Sequence, residues 1–424
     1  MEIKTETSKN LYRVPELLAP AGNFECLKAA FEYGADAVYF AAKNYGLRAF
    51  ADNFDFGEID IAVKYAHKLK KKAYVTMNVF AHNGDFEELD EHIRFLSDVG
   101  VDAVIVSDPG ILSCIIGAKP GFDIHLSTQA NTTNWRSAAF WHSLGVKRII
   151  LSRELSLDEI GYISENTPKS LEIECFVHGS MCVAYSGRCA LSNYLTDRDA
   201  NRGECAQPCR WNYHLSEENR PGEFMPIMED ERGTYILNSK DLCMIKHIKP
   251  LIKAGISSFK IEGRMKGVYY VASVVRAYRH ELDVYAHDPE KYCFSESTFT
   301  ELEKVSHRSY TTGFYFGPPG SEAQVYESSS YIRSYDFVGL VLAYNSNDKM
   351  MLVEQRNNFA VGDELEIVSP KSICLNQYTV KEMYDDSLNP INVAPHAQQK
   401  LYLPLPFEVP HFSILRKKPK CCIN

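Results

Sequence analysis

The chain has 424 residues, 45% of them hydrophobic and 24% charged, which is too apolar for intrinsic disorder and long enough for more than one core. Its net charge of −9 excludes a surface that grips nucleic acid everywhere, because phosphate binding needs concentrated Lys and Arg; any such contact must be local. Twelve cysteines in so large a chain are expected to stay reduced and available to metal.

The start, Met1 to Asn10, is polar, and the longest apolar stretches, such as Val101 to Ala118, are broken by Asp and Gly. A cytoplasmic protein with no membrane span is therefore expected. From Glu16 onward strand-like runs alternate with amphipathic helical patterns, as repeated βα units require. Strands are predicted at Glu16–Ala21, Ala37–Ala42, Ala73–Val79, Ala103–Ser107, Asp123–Ser127, Arg148–Ser152, Leu171–Val177 and Ser258–Glu262, with Gly22, Gly34, Gly100 and Gly145 at turns or helix stops. Lys64 to Lys72 holds five lysines, a solvated helix face or a local anion patch; the tail Arg416 to Lys420 is read the same way.

Eight parallel strands joined by helices close most economically into a (β/α)8 TIM-like barrel, with functional residues at the C-terminal strand ends. Those ends carry Asn78, Asp108, Ser127-Thr128-Gln129, Arg153-Glu154, His178 and Glu262-Gly263-Arg264, together a polar mouth. The stretch from His178 to about Ser257 is too long for an ordinary connection after strand 7 and must be an insertion over that mouth. In it, Asn212–Leu215 and Phe224–Met228 suggest a hairpin, and a helix is predicted from about Asp241 to Ala254. The expected organisation is a barrel over residues 1–290 that includes the insertion 178–257, a connecting segment 291–330, and a small C-terminal β-barrel domain over 331–424. In that last part strands are predicted at Val338–Leu342, Met350–Glu354, Glu364–Val368 and Gln377–Met383.

The insertion carries Cys182-x6-Cys189-x15-Cys205-x3-Cys209. Soft thiolates select zinc or iron-sulfur clusters over hard, oxygen-seeking ions. Structural zinc usually takes tight pairs, which the last two cysteines offer and the first two do not. Spacing alone leaves an iron-sulfur cluster, zinc and buried unliganded thiols all open.

The stretch Glu174-Cys-Phe-Val-His178-Gly-Ser-Met-Cys182, continuing through Gly187-x-Cys189-Ala-Leu191-Ser192, resembles the signature of the collagenase-like peptidase family, peptidase family U32. The likeness extends to Glu16-Leu-Leu-Ala-Pro20-Ala-Gly22, Gly34-Ala-Asp36-Ala-Val38-Tyr39, Phe259-Lys260-Ile-Glu262-Gly-Arg264-Met-Lys266 and His307-Arg308-x-Tyr310-Thr-Thr-Gly313-Phe314. Length, cysteine spacing and the C-terminal β-domain are most similar to its prephenate-dependent tRNA uridine hydroxylases. The resemblance implies a 4Fe-4S cluster on Cys182, Cys189, Cys205 and Cys209, and hydroxylation of carbon 5 of the wobble uridine in a tRNA anticodon loop. Prephenate, or a similar small dicarboxylate, is the implied co-substrate, and a related partner chain is a further possible requirement. An unpaired loop suits such chemistry because its bases are already accessible.

Fixed cations suit carboxylates, planar Arg forks best, and Arg48, Arg153, Lys260 and Arg264 lie at or near predicted strand ends or in the loops beyond them, so they are candidates for holding the co-substrate; Asn78 and Gln129 are further candidate substrate-binding residues. His178, Lys260, Glu262 and Arg264 are the candidate catalytic residues, His178 as acid or base near neutral pH. Cys175, one residue into the signature, is read as a buried thiol. A peptidase is the rival reading, yet His280-Glu281 is followed by Val284 where a zincin helix needs its second His, and no Gly-x-Ser-x-Gly elbow occurs. A non-catalytic RNA-binding iron-sulfur protein is the third.

Overall fold

Short runs in which nearly every residue is apolar are what a parallel sheet covered on both faces requires. The computed structural model describes residue 12 and residues 14–419, except 44, 46–52, 183, 186–187, 190, 197, 209–210, 212–213, 216–224, 227–237, 319–323, 326–331 and 371–375. The apolar runs become β1 (Glu16–Pro20), β2 (Ala37–Ala41), β3 (Lys72–Met77), β4 (Ala103–Val106), β5 (Asp123–Leu126), β6 (Arg148–Ile150), β7 (Glu172–Ser180) and β8 (Ser258–Ile261). They pair in that order, all parallel, and β8 hydrogen-bonds to both β7 and β1. The eight strands therefore close into a barrel with no edge strand among them.

Helices α1 (Phe24–Glu32), α2 (Phe56–Lys68), α3 (Leu89–Val99), α4 (Pro109–Ala118), α5 (Trp135–Ser143) and α6 (Leu157–Glu165) fill the intervals. Most begin where a short polar side chain takes up an otherwise orphaned backbone N–H: Asn23, Asp55, Asp108, Asn134 and Ser156. Asp55 with Glu58, and Ser156 with Glu159, complete reciprocal capping boxes. After the insertion, α7 (Ile248–Lys253) leads into β8, and α8 (Val268–His287) follows it, packing on α1, α7 and β1. Among the described residues no helix is long and apolar enough to cross a membrane.

The insertion departs from expectation at its end. The predicted helix from Asp241 is instead a strand, Asp241–Cys243, followed by a 3-10 turn and then α7. The reason lies in β7, which runs past the barrel to Ser180 and needs a partner there; Asp241–Cys243 pairs antiparallel with His178–Ser180. Tyr310–Thr311 adds alongside. Arg308 fastens this extension, donating from Nη2 to Asp241 Oδ1 at 2.7 Å and from its backbone N–H to Oδ2 at 3.1 Å, with both side chains buried. The suggested hairpin exists as His214–Leu215 paired with Met225–Pro226.

The C-terminal part is a seven-stranded antiparallel sheet with its own core. It comprises β9 (Asp336–Asn345), β10 (Met350–Gln355), β11 (Glu364–Val368), β12 (Asn376–Thr379), β13 (Lys400–Pro404), β14 (Ile414–Lys417) and the short strand Tyr384–Asp385. It docks on the barrel through Tyr33, whose hydroxyl lies 2.8 Å from the carbonyl oxygen of Val368 and 2.9 Å from that of Phe412.

Candidate active site

Alternation along a barrel strand sends every second side chain inward. On β7 and β8 this brings a charged layer under the mouth: Lys260 Nζ donates to Glu174 Oε1 at 2.8 Å and Arg148 Nη1 to Glu174 Oε2 at 3.0 Å. Arg148 continues to Glu16 at 2.6 Å and Glu172 at 2.7 Å. An unpaired charge at such depth costs several kcal/mol, and here each of these carboxylates and cations faces an opposite charge. Burial alone would raise the Glu174 carboxyl, but Lys260 and Arg148 outweigh it and hold the group below the usual carboxylate range. Burial pulls the Lys260 ammonium down, against the opposing pull of Glu174. The Lys260 ammonium also lies 4.5 Å from the Tyr39 ring centre and 5.4 Å from that of Phe176.

Above this floor a cavity opens at the C-terminal ends of the strands, lined by Tyr39, Thr76, Asn78, Gln129, Arg153, Phe176, Lys260, Glu262 and Arg264 on the barrel side. Arg153 stacks over Phe176 with 4.0 Å to the ring centre, donates to the Ser180 carbonyl at 2.9 Å and lies 3.7 Å from Glu262. Arg264 donates to Thr76 Oγ1 at 3.3 Å. Asn78 Nδ2 donates to Gln129 Oε1 at 2.7 Å, and the Ser127 hydroxyl donates to the same oxygen at 2.9 Å. Among the described residues Asn78 Oδ1 and Arg153 Nε are buried without a hydrogen-bond partner. Both atoms are sealed from the cavity as it stands.

Glu262 and Arg264 ride on a loop that is clamped on all sides. The Glu262 N–H donates to the His178 carbonyl at 2.8 Å, and the Tyr270 hydroxyl donates to the Glu262 carbonyl at 2.9 Å. Gly22 is required because a Cβ there would run into the Arg264 carbonyl oxygen. Gly179, at φ +112°, would place a Cβ 2.5 Å from the Glu262 carbonyl.

The insertion completes the lining of the cavity with Cys182, Cys189 and Cys205. Cys182 is exposed by surface area, yet the protein packed around its sulfur pushes the thiol up, and the neighbouring Cys189 and Cys205 sulfurs push the same way. Asn201 brackets Cys189: its Oδ1 accepts from the Cys189 N–H at 3.1 Å and its Nδ2 donates to the Cys189 carbonyl at 3.0 Å. The Ser192 hydroxyl accepts from the Ala206 N–H at 3.0 Å, fixing the turn after Cys205. Among the described residues no set of three or more His, Cys, Asp or Glu side chains is already arranged as a metal site. The donor set nevertheless fits an iron-sulfur cluster, since three soft thiols line one cavity.

The cavity therefore unites Asn78, Gln129, Arg153, Lys260, Glu262, Arg264 and three of the four cysteines. Arg48 and Cys209 lie outside the described residues. His178 does not join them: it is buried among the rings of Tyr270, Tyr278 and Tyr310, and burial drives its imidazole down to about 3. It lies outside the cavity and carries no acidic proton to donate near neutral pH, and among the described residues that line the cavity with Ser180 there is no histidine to serve as a nucleophile's base. Cys175 is buried and its thiol pushed up by burial, an inert position. The basic run is largely neutralised, with Lys64 on Asp60 at 2.7 Å, Lys71 on Asp36 at 3.2 Å and Lys72 3.8 Å from Glu16. In the tail, Arg416 is buried and Lys417 pairs with Asp363 at 2.7 Å.

Sequence reasoning did not single out Tyr39, Phe176, Glu174 or Arg188. Glu174 was signalled by a carboxylate inside an apolar strand, which must find a buried cation. Arg188 donates to the Gln129 carbonyl at 2.9 Å and ties the insertion to the barrel mouth, a contact that no local pattern announces.

The family model described as peptidase family U32 matches residues 22–325, and that of its C-terminal domain matches 333–416. The chain is 42% identical to tRNA hydroxylation protein P1 of Bacillus subtilis, over 95% of this chain and 94% of that protein. It is 37% identical to tRNA hydroxylation protein P of Escherichia coli, over 92% and 94%. It is also 37% identical to the 23S rRNA 5-hydroxycytidine C2501 synthase of Escherichia coli, over 70% of this chain but only 45% of that protein. With a match across both its barrel and its C-terminal sheet, the chain belongs to peptidase family U32.

Proposed function

We propose that this chain is an RNA-modifying enzyme that hydroxylates a pyrimidine, and that its target is carbon 5 of the wobble uridine in tRNA. The observation that carries the reading is a single cavity lined both by Arg153, Arg264 and Lys260 and by Cys182, Cys189 and Cys205. The names of its relatives, two tRNA hydroxylation proteins and a hydroxycytidine synthase, point to the same chemistry.

In this reading Cys182, Cys189, Cys205 and Cys209 hold a 4Fe-4S cluster, which when bound supplies one-electron redox capacity beside the substrate. Arg153 and Arg264 bind the carboxylates of prephenate or a similar small dicarboxylate, with Glu262 keeping Arg153 in place. Asn78 and Gln129, which line the cavity, bind the base. Phe176 and Tyr39 provide an apolar floor, and Lys260 keeps a positive charge beneath it.

The test is nucleoside mass spectrometry of tRNA from cells lacking the protein, combined with iron and sulfide analysis of anaerobically purified chain. Loss of hydroxyuridine-derived nucleosides, restored by the wild-type gene and not by Arg264→Ala, is the expected result. Unchanged nucleosides in cells without a paralogue would remove the proposal.

A further inference from the structure

The ladder between β7 and β8 slips at the cavity. Lys260 pairs with Phe176 but Ile261 pairs with His178, so Val177 is an extra residue in β7. A bulge of this kind interrupts the regular hydrogen bonding of a strand and re-aims the side chains around it. Here it falls where Phe176, Lys260 and Glu262 line the cavity. Backbone carbonyls at such an irregularity need donors from elsewhere, and tyrosine hydroxyls reach them from three separate parts of the chain. Tyr315 donates to the Phe176 carbonyl at 2.6 Å and Tyr278 to that of Val177 at 2.7 Å. Across the slip, Tyr39 donates to the Ile261 carbonyl and Tyr270 to that of Glu262, both at 2.9 Å.

All four rings are buried. Burial holds the hydroxyls of Tyr270, Tyr278 and Tyr315 well above their ordinary range, so they remain donors at any working pH. Gly263 belongs to the same device, since it leaves room for the Tyr270 ring, whose edge a Cβ would meet at 2.7 Å. Tyr315 also gives a use to the block from His307 to Phe314, which lies outside the eight barrel strands: Arg308 fastens that block to Asp241, and Tyr315, next after it, reaches Phe176. What the clamped carbonyls carry is the cationic part of the cavity. The Phe176 ring supports Arg153 at 4.0 Å, Glu262 lies 3.7 Å from the same guanidinium, and Arg264 follows Glu262 by two residues.

We propose, resting on the reading above in which Arg153 and Arg264 bind a small dicarboxylate, that Tyr270 and Tyr315 are positioning residues whose hydroxyls fix the β7–β8 bulge and so set the spacing and aim of the two guanidiniums. Two carboxylates on one small molecule demand two cations at a fixed separation, and a planar guanidinium binds a carboxylate well only from a narrow range of directions. Freeing either carbonyl therefore weakens the co-substrate's hold while the cluster cysteines keep their places.

The experiment titrates prephenate into anaerobically purified holoprotein by isothermal calorimetry, which returns the dissociation constant and the number of competent sites separately. Tyr270→Phe and Tyr315→Phe each keep the ring and lose the hydroxyl. Each is expected to raise Kd roughly tenfold with the number of sites unchanged, and either variant decides where the other fails to fold. Tyr285→Phe, near the far end of α8 beside Tyr292, is expected to bind as wild type. A merely structural role would lower the number of competent sites and leave Kd alone. That result, or wild-type binding in the Tyr270 and Tyr315 variants, overturns the positioning role and leaves the dicarboxylate reading standing. An equal loss of affinity in Tyr285→Phe does the same. Absence of prephenate binding by the wild-type holoprotein overturns both.

Discussion

Burial holds His92, His125 and His178 of the barrel in their neutral form. Burial lowers His178 to about 3 and His92 to about 4, and takes His125 well below its ordinary value. In the unfolded chain each would protonate below about 6.5, so the unfolded state takes up protons that the folded state refuses. Stability conferred by the neutral form is complete above pH 6.5 and is lost as pH falls, toward about 4 for His92 and about 3 for His178. Each group contributes a slope of about 1.4 kcal/mol per pH unit. Urea unfolding at pH 7 and pH 5 should therefore show a loss of a few kcal/mol, above the range where the paired carboxylates Glu174 and Asp241 begin to titrate. A phenylalanine at position 92, whose ring neighbours are Tyr45 and Phe56, is expected to flatten the slope by about one proton. Identical pH dependence in wild type and His92→Phe would show that this ring is not the acid-sensitive group.

At the level of the element, the cysteine wall is organised by polar side chains before any metal is considered. Asn201 satisfies both backbone groups of Cys189, and groups that orient ligands in this way typically contribute 10- to 100-fold, roughly, to metal affinity. Asn201→Ala is expected to lower the iron and sulfide retained per chain after anaerobic purification, whereas Asn201→Asp, which keeps the acceptor, retains more. Equal iron in all three proteins would sink the idea that this amide sets the thiol. The eight barrel strands and the polar mouth were legible because apolar runs, amphipathic helical intervals and glycine stops are local signals; each predicted barrel strand overlaps an observed one. What was not legible depended on distant partners. Asp241 reads as a helix start until Arg308 appears beside it, and His178 reads as a site residue until three tyrosines enclose it. Strands β13 and β14 went unrecognised because their pairing partners, β10 and β9 with β11, are far away in sequence.

Across the whole molecule, barrel and C-terminal sheet are joined by a buried ionic cluster. Arg416 on β14 is fully buried and reaches Glu301 and Glu366 at 2.7 Å each; Arg276 on α8 also reaches Glu301, at 2.8 Å. Lys304 bridges the same two carboxylates at 2.8 and 3.1 Å. Removing one member of a buried cluster leaves its partners undercompensated and costs about 3–5 kcal/mol. The sheet has a core of its own, built on residues such as Val341, Val353 and Leu365, so the strain of Arg416→Ala falls on the junction and not on either half. The three tryptophans, Trp135, Trp141 and Trp211, all precede the sheet, so their fluorescence reports the barrel part alone, while far-ultraviolet circular dichroism reports both. Wild type is expected to unfold in urea with the two signals superimposed. In Arg416→Ala the circular dichroism transition should separate from the fluorescence transition, because the sheet and barrel no longer stabilise one another. Superimposed curves in the variant, at an unchanged midpoint, would mean that the apolar contacts and the Tyr33 hydroxyl carry the junction without the arginine.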